Sequence, residues 1–284
     1  MGSPLPAVSR REVEATLSRV VRENRFTIAV VFPLVGALLF VAGHEAWLPA
    51  WLARDPALIL FGTLVMRSPL VAGLAPLVDR RAGIALLALT AYTYAVEFVG
   101  VTTGFPYGEF RYLLELGPML FGTVPVGLPV FFFPLVLNSY LLCLLLLGPR
   151  TDSLPARLLA SLAVVLVVDL VLDPAAVALG FWAYADGGAY YGVPLSNFLG
   201  WILSGAVAVS LVELGFDWRA LRTRLRRCEF MLDDMVSFVL LWGAMNAYFG
   251  NWVPVAIAGL LGGGLLWTDR FDFDVFGPAG AAER

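Results

Sequence analysis

Apolar residues in this chain run on for about 17–25 positions at a time between short polar breaks, the length that crosses a bilayer as a helix. Such runs fall at Phe26–Gly43, Pro56–Val78, Gly83–Thr103, Val124–Leu147, Leu154–Gly180, Pro194–Gly215, Glu229–Phe249 and, shortest, Trp252–Trp267. Upstream of them the pattern changes. Val13, Leu17, Val20 and Val21 fall on one helical face opposite arginines, behind Ser9-Arg-Arg-Glu12, which has the form of a capping box. This predicts an interfacial helix on the inner leaflet. The arm is long and charged and no small-residue cleavage site follows its apolar run, so it is not read as a cleavable signal. The pattern therefore predicts an all-α, polytopic membrane protein of about eight transmembrane helices. The expected divisions are a cytoplasmic arm over 1–25, a transmembrane domain over 26–270 and a cytoplasmic tail over 271–284.

Arginine placement sets the orientation. Of 19 basic residues, all arginine, 16 fall in the arm, the second, fourth and sixth connections and the tail. Arg54 and Arg111 fall on the other side and Arg67 lies within a span. Both termini are thus predicted to be cytoplasmic. Composition agrees, with 60% hydrophobic and 14% charged residues and a mean hydropathy of +0.82. A soluble domain carries roughly a quarter charged residues. The absence of lysine and a pI near 5.2 suit a high-salt organism, although GC-rich coding produces the same lysine loss. One histidine, His44, and two cysteines, Cys143 and Cys228, are too few for haem pairs, histidine-box di-iron sites or Cys/His zinc sites. Cys143 lies in an apolar run and Cys228 beside arginines, so a disulfide between them is not expected.

Ionisable groups at membrane depth are costly and by default mark function. Glu97 and Asp169 each lie roughly 20 Å from the inner face by helical rise, in the outer half of the bilayer. Asp173 shares the Asp169 face at i+4, and Pro174 frees a carbonyl near Leu170 as a further acceptor for a cavity. Asn197 and Asn246 reach a similar level. Arg67, the one cation inside a span, is a partner for Glu97 or Asp169 if these groups merely tie helices together. Three like charges at one depth are expected to leave at least one carboxyl neutral. A neutral acid beside an ionised one is what acid–base chemistry needs. Asp233 and Asp234, at the start of the seventh span, read as acids capping a helix N-terminus. The outer connection Gly104–Tyr112, with its turn formers, aromatics and Glu109/Arg111 pair, reads as a lid or an interfacial belt. Trp182, Tyr184, Tyr190, Tyr191 and Trp201 add aromatic surface on that side.

Glu97-Phe-Val-Gly-Val-Thr-Thr-Gly-Phe-Pro-Tyr-Gly108, Tyr112 and Leu116-Gly-Pro118 resemble the signature of membrane carotenoid-biosynthesis proteins. Asp169-Leu-Val-Leu-Asp-Pro174, Gly180-Phe-Trp182 and Tyr191-Gly-Val-Pro-Leu-Ser-Asn-Phe-Leu-Gly-Trp201 resemble its second half. The likeness covers Phe26 to Trp267 and is greatest to haloarchaeal bisanhydrobacterioruberin hydratases. One departure is Pro134-Leu-Val-Leu-Asn138, where the family pattern leads us to expect an aromatic after Pro-Leu. The resemblance implies a cofactor-free, metal-free hydratase of the cell membrane, adding water to the end-group double bonds of a long polyene. Its partners would be a membrane-dissolved carotenoid, water and other membrane enzymes of the pathway, with no nucleic acid. Glu97 or Asp169 is then expected to donate the proton and Asp173 to act as base. Arg67, Tyr107, Glu109, Tyr112, Trp182, Tyr191, Asn197, Trp201 and Asn246 are expected at the substrate.

Other readings are an intramembrane prenyltransferase using Asp169-x-x-x-Asp173, a proton-coupled transporter, or a carotenoid-binding scaffold. The two acidic pairs lie near opposite faces, which weighs against a shared magnesium cluster. Few polar residues continue inward from Asp169, which weighs against a proton path.

Overall fold

The computed structural model describes residues 9–270 apart from Arg54 and Glu115. The expected tail, with Arg284, and the outer Arg54 lie outside the described residues. Among those described, seven helices are long and apolar enough to cross a membrane, and an eighth, α11, is shorter. In chain order the helices are α1 (Arg10–Glu23), α2 (Phe32–His44), α3 (Ala50–Ala53), α4 (Pro56–Leu74) and α5 (Arg80–Thr103). After three short strands come α6 (Leu128–Leu146), α7 (Leu154–Leu179), α8 (Leu195–Gly215), α9 (Trp218–Arg227), α10 (Asp233–Tyr248) and α11 (Trp252–Trp267). A π-helical turn at Thr27–Val31 extends α2 towards the arm.

Helix ends lie where the sequence offers caps. The side chains of Ser9, Asp55, Asp79, Ser153 and Asp217 accept first-turn N–H groups of α1, α4, α5, α7 and α9. The Ser9/Glu12 capping box is formed in both directions. Gly104 and Gly180, at φ 77° and 75°, end α5 and α7 in the left-handed conformation that glycine adopts without strain. The fourth span begins at Leu128 rather than Val124, because β3 (Val124–Pro125) pairs with β2 (Met119–Leu120) in a hairpin. The seventh opens with a 3-10 turn, Glu229–Leu232, before α10.

Helix α6 runs through the middle, packed against α4, α5, α7 and α8. The arginine-rich connections are stitched together at one end of the bundle. Arg10 donates to the carbonyls of Ala75 and Val78, both at 2.8 Å, and Arg81 to that of Leu214 at 2.5 Å. Arg25 binds both oxygens of Asp233, at 2.8 and 2.9 Å. Arg157 makes a forked pair with Glu213 at 2.9 and 2.5 Å, which Tyr140 completes, and lies over the Trp218 ring. The apolar stripe of α1 is divided: Val21 is buried, while Val13 and Val20 are exposed. Cys143 and Cys228 are free and buried.

Topology is checked by labelling single cysteines in membranes with an impermeant thiol reagent. Replacements at the exposed positions Arg80 and Arg226 are expected to react only after the membrane is opened, and one at Asp186 directly from outside. Equal reactivity of Asp186→Cys and Arg80→Cys from one side contradicts the orientation.

Candidate active site

Opposite the arginine-rich end, two outer connections zip together. Strand β1 (Phe110–Tyr112) pairs antiparallel with β4 (Trp182–Tyr184), setting Phe110 opposite Tyr184 and Tyr112 opposite Trp182. Paired residues share a face and successive residues alternate, so one side of this ribbon carries all four aromatics. The Leu113 N–H to Phe181 carbonyl bond, 3.0 Å, and the Ala185 N–H to Glu109 carbonyl bond, 2.9 Å, continue the pairing at its ends.

Beneath that aromatic side lies a cavity of about 350 Å³. All four ribbon aromatics line it, together with Phe131, Phe132 and Leu135 of α6 and apolar residues of α2 and α4. On the side of α2 and α4 its lining includes Val35, Leu39, Leu58 and Phe61, which are also exposed on the bundle's outer surface. The departure from the family pattern after Pro134 therefore leaves the cavity aromatic, since α6 supplies its rings from the preceding turn. Phe132 stacks on Trp201 of α8 with centroids 5.3 Å apart.

Carboxylates stand in the wall. Glu97 of α5 lines the cavity and accepts a hydrogen bond from the Tyr112 hydroxyl. Asp173 of α7 also lines it, and its Oδ2 accepts from Asn197 Nδ2 at 2.5 Å and from the Tyr184 hydroxyl at 3.1 Å. Asp169, one turn deeper, is 1% exposed and accepts the other Asn197 amide hydrogen at 3.0 Å. It stands behind Asn197 rather than in the cavity lining. Burial, and then the nearby carboxylates, push the Tyr112 and Tyr184 hydroxyls well above the usual tyrosine range, so both remain donors.

The Tyr107 ring is wedged between α5 and α8. A Cβ on Gly200 would lie 2.6 Å from its Cδ1 and 2.8 Å from the Pro106 carbonyl oxygen, and one on Gly100 3.0 Å from its Cδ2. Only glycine at 200 leaves room for the ring and the Pro106 carbonyl, while a side chain at 100 would crowd the ring's other edge.

A family model described as carotenoid biosynthesis protein matches residues 54–265. The chain belongs to that family. It is 64% identical over 267 residues to a bisanhydrobacterioruberin hydratase of Haloarcula japonica, covering 94% of this chain and 91% of the relative. No solved structure matches it.

For this carotenoid biosynthesis protein, the residues expected at the site divide. Arg67, Glu97, Tyr107, Tyr112, Asp173, Trp182, Asn197 and Trp201 come together on the cavity. Glu109, Tyr191 and Asn246 do not line it. Glu109 is exposed on the connection, and no ion pair joins it to Arg111 among the described residues, the ribbon being held by backbone pairing instead. The Tyr191 hydroxyl accepts from the Val253 N–H, and Asn246 donates to the carbonyls of Val171 and Trp242. The Leu170 carbonyl freed by Pro174 is taken by the Tyr190 hydroxyl at 3.2 Å, not offered to the cavity.

Arg67 requires the largest correction. Its partner is neither Glu97 nor Asp169 but Asp234, which also accepts from Asn138 Nδ2 at 2.8 Å. Asp233 and Asp234 are therefore not simple helix caps. Both are fully buried and ion-paired, Asp233 to Arg25 and Asp234 to Arg67. Sequence reasoning missed this because helix order and depth do not reveal which faces of α4 and α10 meet.

Removing one partner of such a pair strands a buried charge, at about 3–5 kcal/mol. Arg67→Ala is expected to lower the thermal midpoint in detergent accordingly, and Arg67→Met combined with Asp234→Leu to recover much of it. An unchanged midpoint in Arg67→Ala would show that the pair is not a brace.

Proposed function

We propose that the chain is a carotenoid hydratase of the cell membrane, adding water across the terminal isoprenoid double bonds of a long acyclic carotenoid. Its 64% identity to a bisanhydrobacterioruberin hydratase supports that substrate class and the bacterioruberin-type product. What carries the chemistry is one arrangement. Glu97 and Asp173 share the wall of an apolar cavity, under an aromatic ceiling, on the side of the bundle where exposed apolar helices face lipid.

A trisubstituted alkene is hydrated by moving a proton to its less substituted carbon and capturing the tertiary cation with water. The donor must be a carboxylic acid that touches the alkene. Of the two candidates from sequence, Glu97 lines the cavity and Asp169 does not, which favours Glu97. One phenol donates to Glu97, whereas a single oxygen of Asp173 takes two donors. Two donors on one oxygen suit an anion. Asp173, with Asp169 behind Asn197, is the base side of the site. The faces of Phe110, Tyr112, Trp182 and Tyr184 present negative quadrupoles to the cation. At about 350 Å³ the cavity is at the low end of the range for small-molecule sites, roughly 300–1,000 Å³, and takes one end of the polyene while the rest lies in lipid.

The prenyltransferase reading needs acidic pairs free to hold a magnesium diphosphate. Asp233 and Asp234 are each held by an arginine, and Asp169 and Asp173 share one asparagine.

The test is expression with an anhydro-carotenoid in a host that makes no hydrated product. A gain of one water mass per end group is expected. Glu97→Gln is expected to lower hydration by about a hundredfold or more, the scale of lost general-acid catalysis, with carotenoid still bound. Asp173→Asn is expected to be impaired less, since water can capture a formed cation without a base. Near-normal hydration in both Glu97→Gln and Asp169→Asn would return these carboxylates to a structural role.

A further inference from the structure

Three buried polar atoms beside the carboxylates have no hydrogen-bonding partner among the described residues: the Tyr107 hydroxyl, Ser204 Oγ and Asp169 Oδ1. Their residues are 4%, 0% and 1% exposed, so bulk water does not reach them. They belong to one place. Ser204 stands seven residues after Asn197 on α8, two turns along the same face, with Gly200 between them. Gly200 is the glycine that admits the Tyr107 ring, and the Tyr107 hydroxyl lies beside that of Ser204 and within electrostatic reach of Glu97 and Asp169. Asn197 is spent on the two aspartates through one oxygen of each, which leaves Asp169 Oδ1 unused.

A buried water makes about three hydrogen bonds to otherwise unsatisfied groups. Two hydroxyls and a carboxylate oxygen are such a set. We propose that Tyr107, Ser204 and Asp169 hold one water molecule, and that this is the water added to the alkene. The inference rests on the hydratase reading above and deepens it.

Tyr107 and Asn197 line the cavity while Ser204 and Asp169 stand behind them, so the water is held at the wall and not in the space the alkene fills. The step balances. The Glu97 proton forms the new C–H bond and leaves a tertiary cation. The water oxygen forms the C–O bond, and one of its protons passes to the base side of the site, the Asn197-held pair of Asp173 and Asp169, entering at Asp169 Oδ1. That proton must return to Glu97 before the next turnover, and the Tyr107 hydroxyl, near both carboxylates, is placed to relay it. Ser204 lies beside the Tyr107 hydroxyl and meets the reaction through the water. It is a further binding residue for the second substrate, and no motif in the sequence marks it.

The test uses membranes holding the full chain, an anhydro-carotenoid and heavy water, with two readouts: hydrated product, and deuterium in the recovered alkene. A cation that forms but is not captured loses a proton and returns as labelled alkene. Ser204→Ala is expected to lower hydration by about tenfold, the scale of one hydrogen bond, while alkene labelling persists or rises. Ser204→Thr, which keeps the hydroxyl, is expected to restore part of the hydration. Wild-type hydration in Ser204→Ala overturns the proposal. So does parallel loss of hydration and labelling, or loss of bound carotenoid, either of which assigns Ser204 to the fold or to the proton donor. Absence of hydration by the wild-type chain would overturn the hydratase reading itself, and this proposal with it.

Discussion

A carboxyl group placed at membrane depth needs a partner, and most of this architecture follows from supplying one to each. An unpaired ionisable group there costs roughly 3 kcal/mol or more. Six carboxylates in the spans are answered in two different ways. Asp233, Asp234 and Glu213, towards the inner side, receive arginines: Arg25, Arg67 and Arg157. Glu97, Asp169 and Asp173, towards the outer side, receive only neutral donors: Tyr112, Tyr184 and Asn197. The first set is neutralised and braces the bundle. The second carries no bound cation, and two of its members, Glu97 and Asp173, line the aromatic cavity.

The outer connections do more than close the bundle. Pairing β1 with β4 brings Tyr112 and Tyr184, from connections far apart in the chain, to Glu97 and Asp173 respectively. The same pairing turns four rings towards the cavity. A ribbon only three residues long is marginal alone, and here it is supported by packing onto α5 and α7. Arg67, held by Asp234 outside the lining, also reaches the cavity, which thus has one tethered cation, two carboxyl groups in its wall and an aromatic roof.

Much of this was legible in the sequence, because hydropathy and arginine placement act along the chain. The spans, the Ser9 capping box and the shared depth of Glu97, Asp169 and Asp173 all needed only counting. What could not be read was azimuth. Arg67 and Asp234 lie on helices α4 and α10, and nothing in linear spacing says that their faces meet. The Pro174-freed carbonyl was foreseen, but its partner Tyr190 comes from a loop whose course depends on β4. The β1–β4 pairing was hidden because three-residue strands carry too little alternation to stand out. Ser204 was within reach of the periodicity argument, seven residues from Asn197 on the same helix, but a lone serine in an apolar run gives no further signal.

The central claim is that Glu97 serves the cavity as a neutral carboxylic acid while Arg67-paired Asp234 does not. Infrared difference spectroscopy of the purified protein at neutral pH tests it most directly, since a protonated carboxyl and a carboxylate absorb in separate regions. The account predicts a protonated-carboxyl band that shifts on transfer to heavy water, is lost in Glu97→Gln and survives in Asp234→Asn. No such band in the wild-type protein, or one that is unchanged in Glu97→Gln, would contradict it.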